Sequence, residues 1–379
     1  MPKFCSAPFY MLDIRVDGSC WICCEQWLPK SIGNLYHNSL DEIWNGQIAR
    51  EIRQSILDQN FKFCDNEQCP ALASDMLDVI TNISDKQRQQ VIDRTVPKDT
   101  DIKVTSSFSA DTLTHFLQND LPSQINLSYD RSCNLQCPSC RSNLININEG
   151  PEYLRIKQLH DDVIKTLFDK PHDKRITLNI TGSGDPFASK IFRDFLFEFD
   201  PTPWPNLKLG IQTHGGLLTN VNWERINHWH DKIEFIKICF DAATKSTYEV
   251  VRKKGNWDQL MLNCEFLNEK LKDSSMFAIA DFVVQDHNFK EMKDFVKIFL
   301  EKFNNFSYIC FYVVNNWGTW NDDEYAQRAV WKNDHPRHQE LLTVLADEIF
   351  DHPKVILGSF DKMRQFRKDT FKISFSQQL

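Results

Sequence analysis

The stretch QINLSYDRSCNLQCPSC, residues 124–140, decides the fold. Its first seven residues have the apolar character of a β-strand, and Cys133, Cys137 and Cys140 follow in the pattern CxxxCxxC. A loop directly after a parallel strand lies at the strand's carboxyl edge, where α/β proteins carry their chemistry. Three thiolates can bind three irons of a [4Fe–4S] cube and leave the fourth iron open. The stretch therefore predicts an iron–sulfur site at the edge of a parallel sheet.

Downstream of this stretch, short apolar runs alternate with helical patterns. We expect strands at residues 124–130, 175–182, 207–215, 233–241, 276–285 and 306–315. Helical periodicity falls between them at residues 160–169, 189–199, 220–229, 257–272 and 289–303. Six strand-plus-helix units in series predict an α/β fold with a parallel sheet, and they are too few for a closed eight-stranded barrel. We therefore predict a partial, open (β/α)6 barrel of the TIM type.

Composition narrows the class of protein. The chain has 379 residues and a formal net charge of −8, which makes nucleic acid an unlikely partner. No run of eighteen apolar residues and no apolar signal core is present, so we expect no membrane span and a cytoplasmic location. In that compartment, twelve cysteines point to metal ligands or catalytic thiols rather than disulfides.

The N-terminal segment carries a second group of cysteines. Residues 11–23 alternate as a hairpin does around the turn signal Asp17-Gly18, and Ser39 to Glu42 form a capping box that opens a helix. We expect a small cysteine-rich domain at residues 1–82, a polar linker at 83–122, the barrel at 123–320 and a helical or strand extension at 321–379. The cysteines of this segment are Cys5, Cys20, Cys23, Cys24, Cys64 and Cys69.

The triplet Cys133, Cys137 and Cys140, placed after a first barrel strand, resembles the signature of the radical S-adenosylmethionine (SAM) superfamily. The resemblance implies that SAM chelates the open iron and that an electron from the cluster cleaves it to a 5′-deoxyadenosyl radical. That radical abstracts hydrogen from a substrate, so the three cysteines are the catalytic ligands. A structural zinc site is the alternative, and it would normally show a fourth ligand nearby.

Three further segments resemble the SAM-binding motifs of that family. Thr-Gly-Ser-Gly-Asp-Pro at 181–186 resembles its Gly-Gly-Glu motif, and residues 238–252 resemble its S-x-D…Y-x-x-x-R segment. Arginine suits the SAM carboxylate because its planar fork donates two parallel bonds. The alternative for residues 181–186 is an ordinary strand-to-helix turn, and the alternative for Arg252 is a solvated helix charge. His214 is a substrate contact, an acid–base group or a structural histidine. The cofactor-binding residues that the resemblance implies are Gly182, Ser183, Gly184, Asp185, Asp241, Arg252 and Gln285.

The spacing Cys5-x12-Gly18-x4-Cys23, followed by Cys64-x4-Cys69, resembles the auxiliary-cluster modules called SPASM and, in a shorter form, twitch. The resemblance implies a second [4Fe–4S] cluster with these four cysteines as ligands. Two alternatives stay open. A zinc knuckle could use the same thiolates, and a bulge in the hairpin could exchange Cys23 for Cys20 or Cys24.

Together these resemblances predict a radical SAM oxidoreductase or maturase with two [4Fe–4S] clusters. Its substrate would be a small molecule, a carbohydrate or a peptide, and its electron donor a flavodoxin or ferredoxin. The alternative from another class is a non-catalytic two-cluster electron-transfer or scaffold protein. A radical methyltransferase is a third possibility, but no cobalamin domain fits in this length.

Overall fold

The computed structural model describes residues 3–67, 69–73, 77–79, 121–180 and 183–364. The expected linker, except its last two residues, lies outside these ranges, as do Gly182 and residues 365–379. Within them, no helix is both long and apolar enough to cross a membrane. The chain divides into two compact units: a first unit of Met1–Arg131, Ile147–Ser183 and Glu198–Leu209, and a second unit of Ser132–Asn146, Gly184–Phe197 and Gly210–Leu379.

The first unit contains the N-terminal cysteines and the first two barrel strands. Its strands are β1 (Lys3–Phe4), β2 (Met11–Arg15), β3 (Ser19–Trp21), β4 (Gly33–Asn34), β5 (Asp78–Val79), β6 (Gln124–Ser128) and β7 (Ile176–Ile180). Its helices are α1 (Ala7–Tyr10), α2 (Leu40–Trp44), α3 (Gln47–Leu57), α4 (Pro70–Ala73) and α5 (Gly150–Phe168).

The sheet of the first unit has the order β7-β6-β2-β3-β4. β6 pairs in parallel with both β7 and β2. The predicted hairpin is present as antiparallel β2 and β3, and Gly18 in its turn has a φ of 76°, a conformation that favours glycine. The hairpin therefore adds its strands to the edge of the parallel sheet, with Met11 opposite Gln124.

The second unit contains the remaining strand–helix repeats. Its strands are β8 (Leu207–Thr213), of which the residues from Gly210 onward belong to this unit, β9 (Ile233–Cys239), β10 (Phe277–Val284), β11 (Tyr308–Val313) and β12 (Val355–Ile356), in the order β8-β9-β10-β11-β12. Its helices are α6 (Lys190–Glu198), α7 (Asn220–Arg225), α8 (Lys245–Val251), α9 (Trp257–Lys270), α10 (Met292–Glu301), α11 (Asp322–Arg328) and α12 (His338–Leu345). Short 3₁₀ helices lie at Asn227–Trp229, Phe289–Glu291 and Glu348–Asp351.

A cluster of phenylalanines forms the helix-covered core of the second unit. Phe282 of β10 lies with its ring centroid 4.9 Å from that of Phe295 on α10 and 5.5 Å from that of Phe311 on β11. Phe240 packs on the same helix, 5.1 Å from Phe299. Each such buried ring contributes about 3–5 kcal/mol, by comparison with Phe→Ala substitutions. One face of β10 and β11 is thereby committed to packing against α10.

The predicted fold class is confirmed. All six expected strands are present as β6 to β11, each followed by a helix. Within the first unit β6 pairs in parallel with β7, and within the second unit β10 pairs in parallel with β9 and β11. One detail differs: the helix expected after the capping box of Ser39 and Glu42 is divided into two, α2 and α3. Gly46 begins the second helix at its N-cap, and the predicted capping box of Ser39 and Glu42 is present at the first. The domain boundaries stay a prediction.

Candidate functional site

The loop with Cys133, Cys137 and Cys140 lies in the second unit and is held at several points. Cys133 and Cys137 are buried against Leu135, with Cys140 packed beside them. The Cys133 N–H donates to Ile145 O at 2.9 Å. The Gln136 N–H donates to Lys253 O, also at 2.9 Å, which ties the loop to the segment after α8. The three thiols are therefore positioned by backbone hydrogen bonds from their own loop.

Two arginines donate to the sulfurs of this triplet. Arg141 Nη2 lies 3.3 Å from Cys140 Sγ, and Arg252 Nη1 lies 3.7 Å from Cys137 Sγ. The pKa of Cys133 is raised to about 12, chiefly by burial and then by Asp185, with Arg141 opposing both. Burial likewise raises the pKa of Cys137, while Arg252 lowers it. Coordination by iron deprotonates a thiol, and the guanidinium groups favour the resulting thiolates, so the donor set fits a cluster.

In the described residues, no three His, Cys, Asp or Glu side chains converge as the ligands of one metal ion do. Ligands of a single zinc ion all lie at bonding distance from one point. Each thiolate of an iron–sulfur cube binds a different iron, so its ligands are held farther apart.

Asp185 is buried in a network that joins the cysteine loop to the end of β8. Its N–H donates to Ser132 O at 2.9 Å. Its Oδ1 accepts from the Phe187 N–H at 3.0 Å, and its Oδ2 accepts from Thr213 Oγ1 at 2.6 Å and from the His214 N–H at 3.0 Å. Both carboxylate oxygens thus have protein donors, so Asp185 fixes the turn. Direct contact of Asp185 with SAM stays a prediction.

Of the other members of the expected Gly-rich segment, Ser183 and Gly184 lie within the described residues. Gly182 lies outside the described residues, and Gly184 is half-buried just before Asp185. In the first unit, the Ser183 hydroxyl donates to Ser128 O at 2.6 Å, at the carboxyl end of β6. The cofactor-binding roles of these three residues stay predictions.

His214 is buried with both ring nitrogens engaged. Nδ1 accepts from the Gly216 N–H at 3.0 Å, which leaves the proton on Nε2 to be donated to Asn134 Oδ1 at 2.8 Å. Burial lowers the pKa of His214, although Asp185 opposes this shift. The neutral ring therefore ties the cysteine loop to β8, which favours the structural alternative over an acid–base role.

Arg252 and Asp241 form a buried ion pair, with Nη2 and Oδ2 2.8 Å apart. Asp241 has a φ of 59°, and its Oδ1 accepts from the Val283 N–H at 2.8 Å. Burial raises the pKa of Asp241, and Arg252 lowers it. Only 14% of the Arg252 side chain is exposed, which contradicts the solvated-helix alternative. Its Nε is buried and has no hydrogen-bond partner among the described residues.

Gln285 follows β10 and is buried. Its N–H donates to Asn288 Oδ1 at 2.8 Å, and Asn288 Nδ2 donates to Asp241 O at 2.8 Å and to Val283 O at 2.9 Å. Asn288 therefore joins the ends of β9 and β10 with its whole amide group. Binding of SAM by the side chain of Gln285 stays a prediction.

In the first unit, four N-terminal thiols lie near enough to influence one another's pKa values. Burial raises the pKa of Cys23 to about 12, and Cys5 raises it further. Burial also raises the pKa of Cys64 to about 12, with Cys23 and then Cys69 adding to the shift. Trp27 Nε1–H donates to Cys23 Sγ at 3.2 Å. These are the four residues expected to bind an auxiliary cluster.

Cys20 and Cys24 have different surroundings. Cys20 is fully buried, its thiol faces Gly18 O at 3.7 Å, and its charged neighbours are Asp13 and Asp17. The charged neighbours of Cys24 include Arg15 and Asp13. These environments favour Cys23 in the ligand set, which itself stays a prediction.

Three residues near the site were missed in the sequence. Arg141 directly follows the third cysteine of the triplet, and a cation next to a thiolate group is a signal that could have identified it. Lys237 and Asp281 pair at 3.6 Å between β9 and β10. A single acid within the apolar run FAIADFVV was the available signal for Asp281.

Comparison with known families identifies the N-terminal segment. Residues 5–70 match the family described as an iron–sulfur cluster-binding domain, SPASM. The predicted module is therefore confirmed in the first unit, and the SPASM segment contains Cys5, Cys23, Cys64 and Cys69.

Solved structures include a distant match. It is a radical S-adenosylmethionine methyltransferase, TsrM, from Kitasatospora setae, with a tryptophan substrate and the SAM analogue aza-SAM bound. The identity is 9%, the TM-score is 0.33, and the match covers 57% of this chain. The matched region spans only 39% of the TsrM chain. No curated protein matches the sequence.

Proposed function

We propose that this chain is a radical SAM iron–sulfur enzyme of the oxidoreductase or maturase type. It would cleave SAM reductively and abstract hydrogen from a small-molecule, carbohydrate or peptide substrate. One observation carries the proposal: Arg252, at the carboxyl ends of β9 and β10, donates to Cys137 of the cysteine loop and keeps a buried Nε without a partner among the described residues. A buried donor of this kind calls for an acceptor, and a SAM carboxylate beside the cluster would supply it.

The chain's own residues divide the work at this site. Cys133, Cys137 and Cys140 would hold three irons, and Arg141 and Arg252 would offset the negative charge of the thiolates. When bound, the cluster supplies the electron for the cleavage of SAM.

The SPASM segment would hold a second [4Fe–4S] cluster through Cys5, Cys23, Cys64 and Cys69. Four protein thiolates leave no iron open for SAM, so this cluster would exchange an electron with the substrate after hydrogen abstraction. A flavodoxin or ferredoxin would supply electrons to the enzyme. Its location would be cytoplasmic.

The test is an anaerobic assay of the iron-reconstituted protein with SAM and dithionite, following 5′-deoxyadenosine. Wild-type protein should form 5′-deoxyadenosine, and Cys137→Ala should not. Cys264→Ala is the matched control, because it removes a buried thiol of α9 outside both cysteine groups. A wild-type protein that binds iron and SAM yet forms no 5′-deoxyadenosine would overturn the proposal in favour of an electron-transfer protein.

A further inference from the structure

A row of side chains crosses three parallel strands of the second unit. Cys239 on β9 is paired with Asp281 on β10, and Asp281 is paired with Cys310 on β11. Paired residues of neighbouring strands point to the same side of a sheet, and alternate residues point to opposite sides. Phe282, next to Asp281, packs on α10. The row therefore lies on the side of the sheet that faces away from α10.

Asp281 is the polar centre of this row. Only 4% of the surface of Asp281 is exposed. Oδ2 lies 3.6 Å from Lys237 Nζ, while Oδ1 is buried without a hydrogen-bond partner among the described residues. A buried acceptor without a donor destabilises a protein, and proteins retain such an atom chiefly where a ligand, a water or an ion completes the site.

The row is continuous with the site described above. The charged neighbours of Cys239 are, in decreasing order of effect, Arg252, Asp281, Asp241 and Lys237, so this thiol lies between the two ion pairs. At the other edge, Tyr312 accepts a hydrogen bond from Lys237 Nζ at 3.3 Å and is 41% exposed. The row therefore has an exposed tyrosine, Tyr312, at one edge and Arg252 among the charged neighbours of Cys239 at the other.

The charges around Asp281 restrict what can bind there. Burial raises the pKa of Asp281 to about 7, and Lys237 opposes the shift. Lys237 already neutralises the ionised carboxylate, and Arg252 neutralises Asp241. An ammonium group on Oδ1 would add a third cation beside Lys237 and Arg252 in a poorly solvated place. A neutral N–H or O–H would satisfy Oδ1 without adding charge.

We propose that this face is a substrate subsite in which Asp281 Oδ1 accepts a hydrogen bond from an uncharged amide or hydroxyl group. The proposal rests on the function proposed above and specifies its substrate class. Ile279 and Val283 flank Asp281 on the same side of β10, so the group that carries the donor would lie against an apolar surface.

The test measures binding of three small probes to the reconstituted protein with SAM bound and no reductant, at pH 8. The probes are benzamide, N,N-dimethylbenzamide, which lacks the N–H, and benzylamine, which is a cation. Ligand-observed NMR titration should give benzamide an affinity about tenfold higher than that of the dimethyl probe, the effect of one hydrogen bond to a buried charged acceptor. Benzylamine should bind more weakly than benzamide.

The variant pair Lys237→Met with Asp281→Leu removes the subsite without leaving either charge unpaired. The tenfold preference for benzamide should disappear in this double variant. The matched control replaces the exposed pair Lys245 and Asp258, 2.6 Å apart, in the same way and should keep the preference. Circular dichroism checks that both proteins fold.

Two results would overturn the subsite: equal affinity of wild type for benzamide and its dimethyl form, or tighter binding of benzylamine. The assay needs no SAM cleavage, so its outcome is separate from that of the proposed function. A wild type that forms 5′-deoxyadenosine but shows no preference loses the subsite alone.

Discussion

The two sets of predicted cluster ligands, the cysteine triplet of the second unit and the cysteines of the SPASM segment, differ in the side chains that surround their sulfurs. In the second unit, Arg141 and Arg252 donate to the triplet and oppose the effect of burial on its thiols. In the SPASM segment, the charged groups that act on Cys64 are the thiols Cys23 and Cys69, which raise its pKa further. Cations therefore favour the thiolate form at the triplet, and among the described residues the charged groups that act on Cys64 include no cation. Because burial still raises the pKa of both Cys133 and Cys64, to about 12, thiols of both groups depend on the metal to become thiolates.

The largest expected effect is on the rate of SAM cleavage, which should depend on the cysteine triplet and not on the cysteines of the SPASM segment. Cys137→Ala should lower the rate of 5′-deoxyadenosine formation by more than about 100-fold. Loss of an iron ligand lowers activity more than loss of a residue that only hydrogen-bonds to a ligand. Cys64→Ala should keep uncoupled SAM cleavage within about twofold of wild type, because the SPASM cluster offers no open iron. Product analysis with dithionite measures both rates.

Circular dichroism and iron analysis control for unfolding of the SPASM segment. Each variant should lose the irons of its own cluster and keep those of the other. Equal loss of SAM cleavage in both variants would remove the distinction between the groups.

The second prediction concerns the cation beside the triplet. Arg252→Met should weaken SAM binding by about 2–4 kcal/mol, because a partly buried carboxylate loses its charged donor. Arg252→Lys should recover part of this loss by restoring the charge. SAM titration followed by electron paramagnetic resonance of the cluster reports the affinity.

Lys253→Met is the matched control, since Lys253 is the exposed neighbour of Arg252. It should leave SAM affinity unchanged. An equal effect of both substitutions would mean that general positive charge, rather than the position of Arg252, attracts SAM.

The third prediction concerns the pH dependence of stability in the first unit. His160 in α5 is buried, its Nδ1 lies 2.7 Å from Tyr129 Oη, and burial lowers its pKa from 6.5 to about 4. Between those values the unfolded chain binds the extra proton, so the free energy of unfolding falls as pH falls. From pH 7.5 to pH 5 this one residue should cost about 2 kcal/mol.

His160→Asn removes the titrating ring and should flatten the pH dependence of urea unfolding over that range by the same amount. His172→Asn, at a half-buried histidine of the same unit, is the comparison. A pH dependence unchanged by the His160 substitution would show that acid sensitivity arises elsewhere.

The smallest expected effect concerns the hydrogen bond that Trp27 donates to Cys23 in the SPASM segment. Trp27→Phe removes the hydrogen bond to Cys23 Sγ, worth about 1 kcal/mol, and should speed iron loss to a chelator about fivefold. Trp21→Phe removes a comparable bond, from Nε1 to Ser19 Oγ at 3.0 Å, and should leave iron loss unchanged. Identical rates for Trp27→Phe and wild type would show that this bond does not protect the cluster.

The strands of the barrel were predictable because their signal is local. Each apolar run is bounded by turn residues within a few positions, and β6 to β11 begin and end within two residues of the expected limits. The loop of the triplet was predictable for the same reason, since spacing along the chain fixes which thiols can share a cluster.

The partners of buried charges were not predictable in this way. The ion pair of Arg252 with Asp241 depends on the left-handed backbone at Asp241, and the pair of Lys237 with Asp281 depends on strand register. Pairing of β2 with β6 likewise joins distant segments. Such contacts are set by tertiary packing, which periodicity in one segment does not encode.

Because β2 pairs in parallel with β6, β2 cannot complete its pairing until the ribosome has synthesised β6. Met11 is opposite Gln124, so the partner of β2 emerges about 110 residues later, roughly 5–20 s at usual translation rates. Until then one edge of β2 is an unpaired template for other strands. Cys5, Cys23, Cys64 and Cys69 are all made before β6. The whole predicted ligand set is therefore synthesised before the strand with which the hairpin of the SPASM segment pairs.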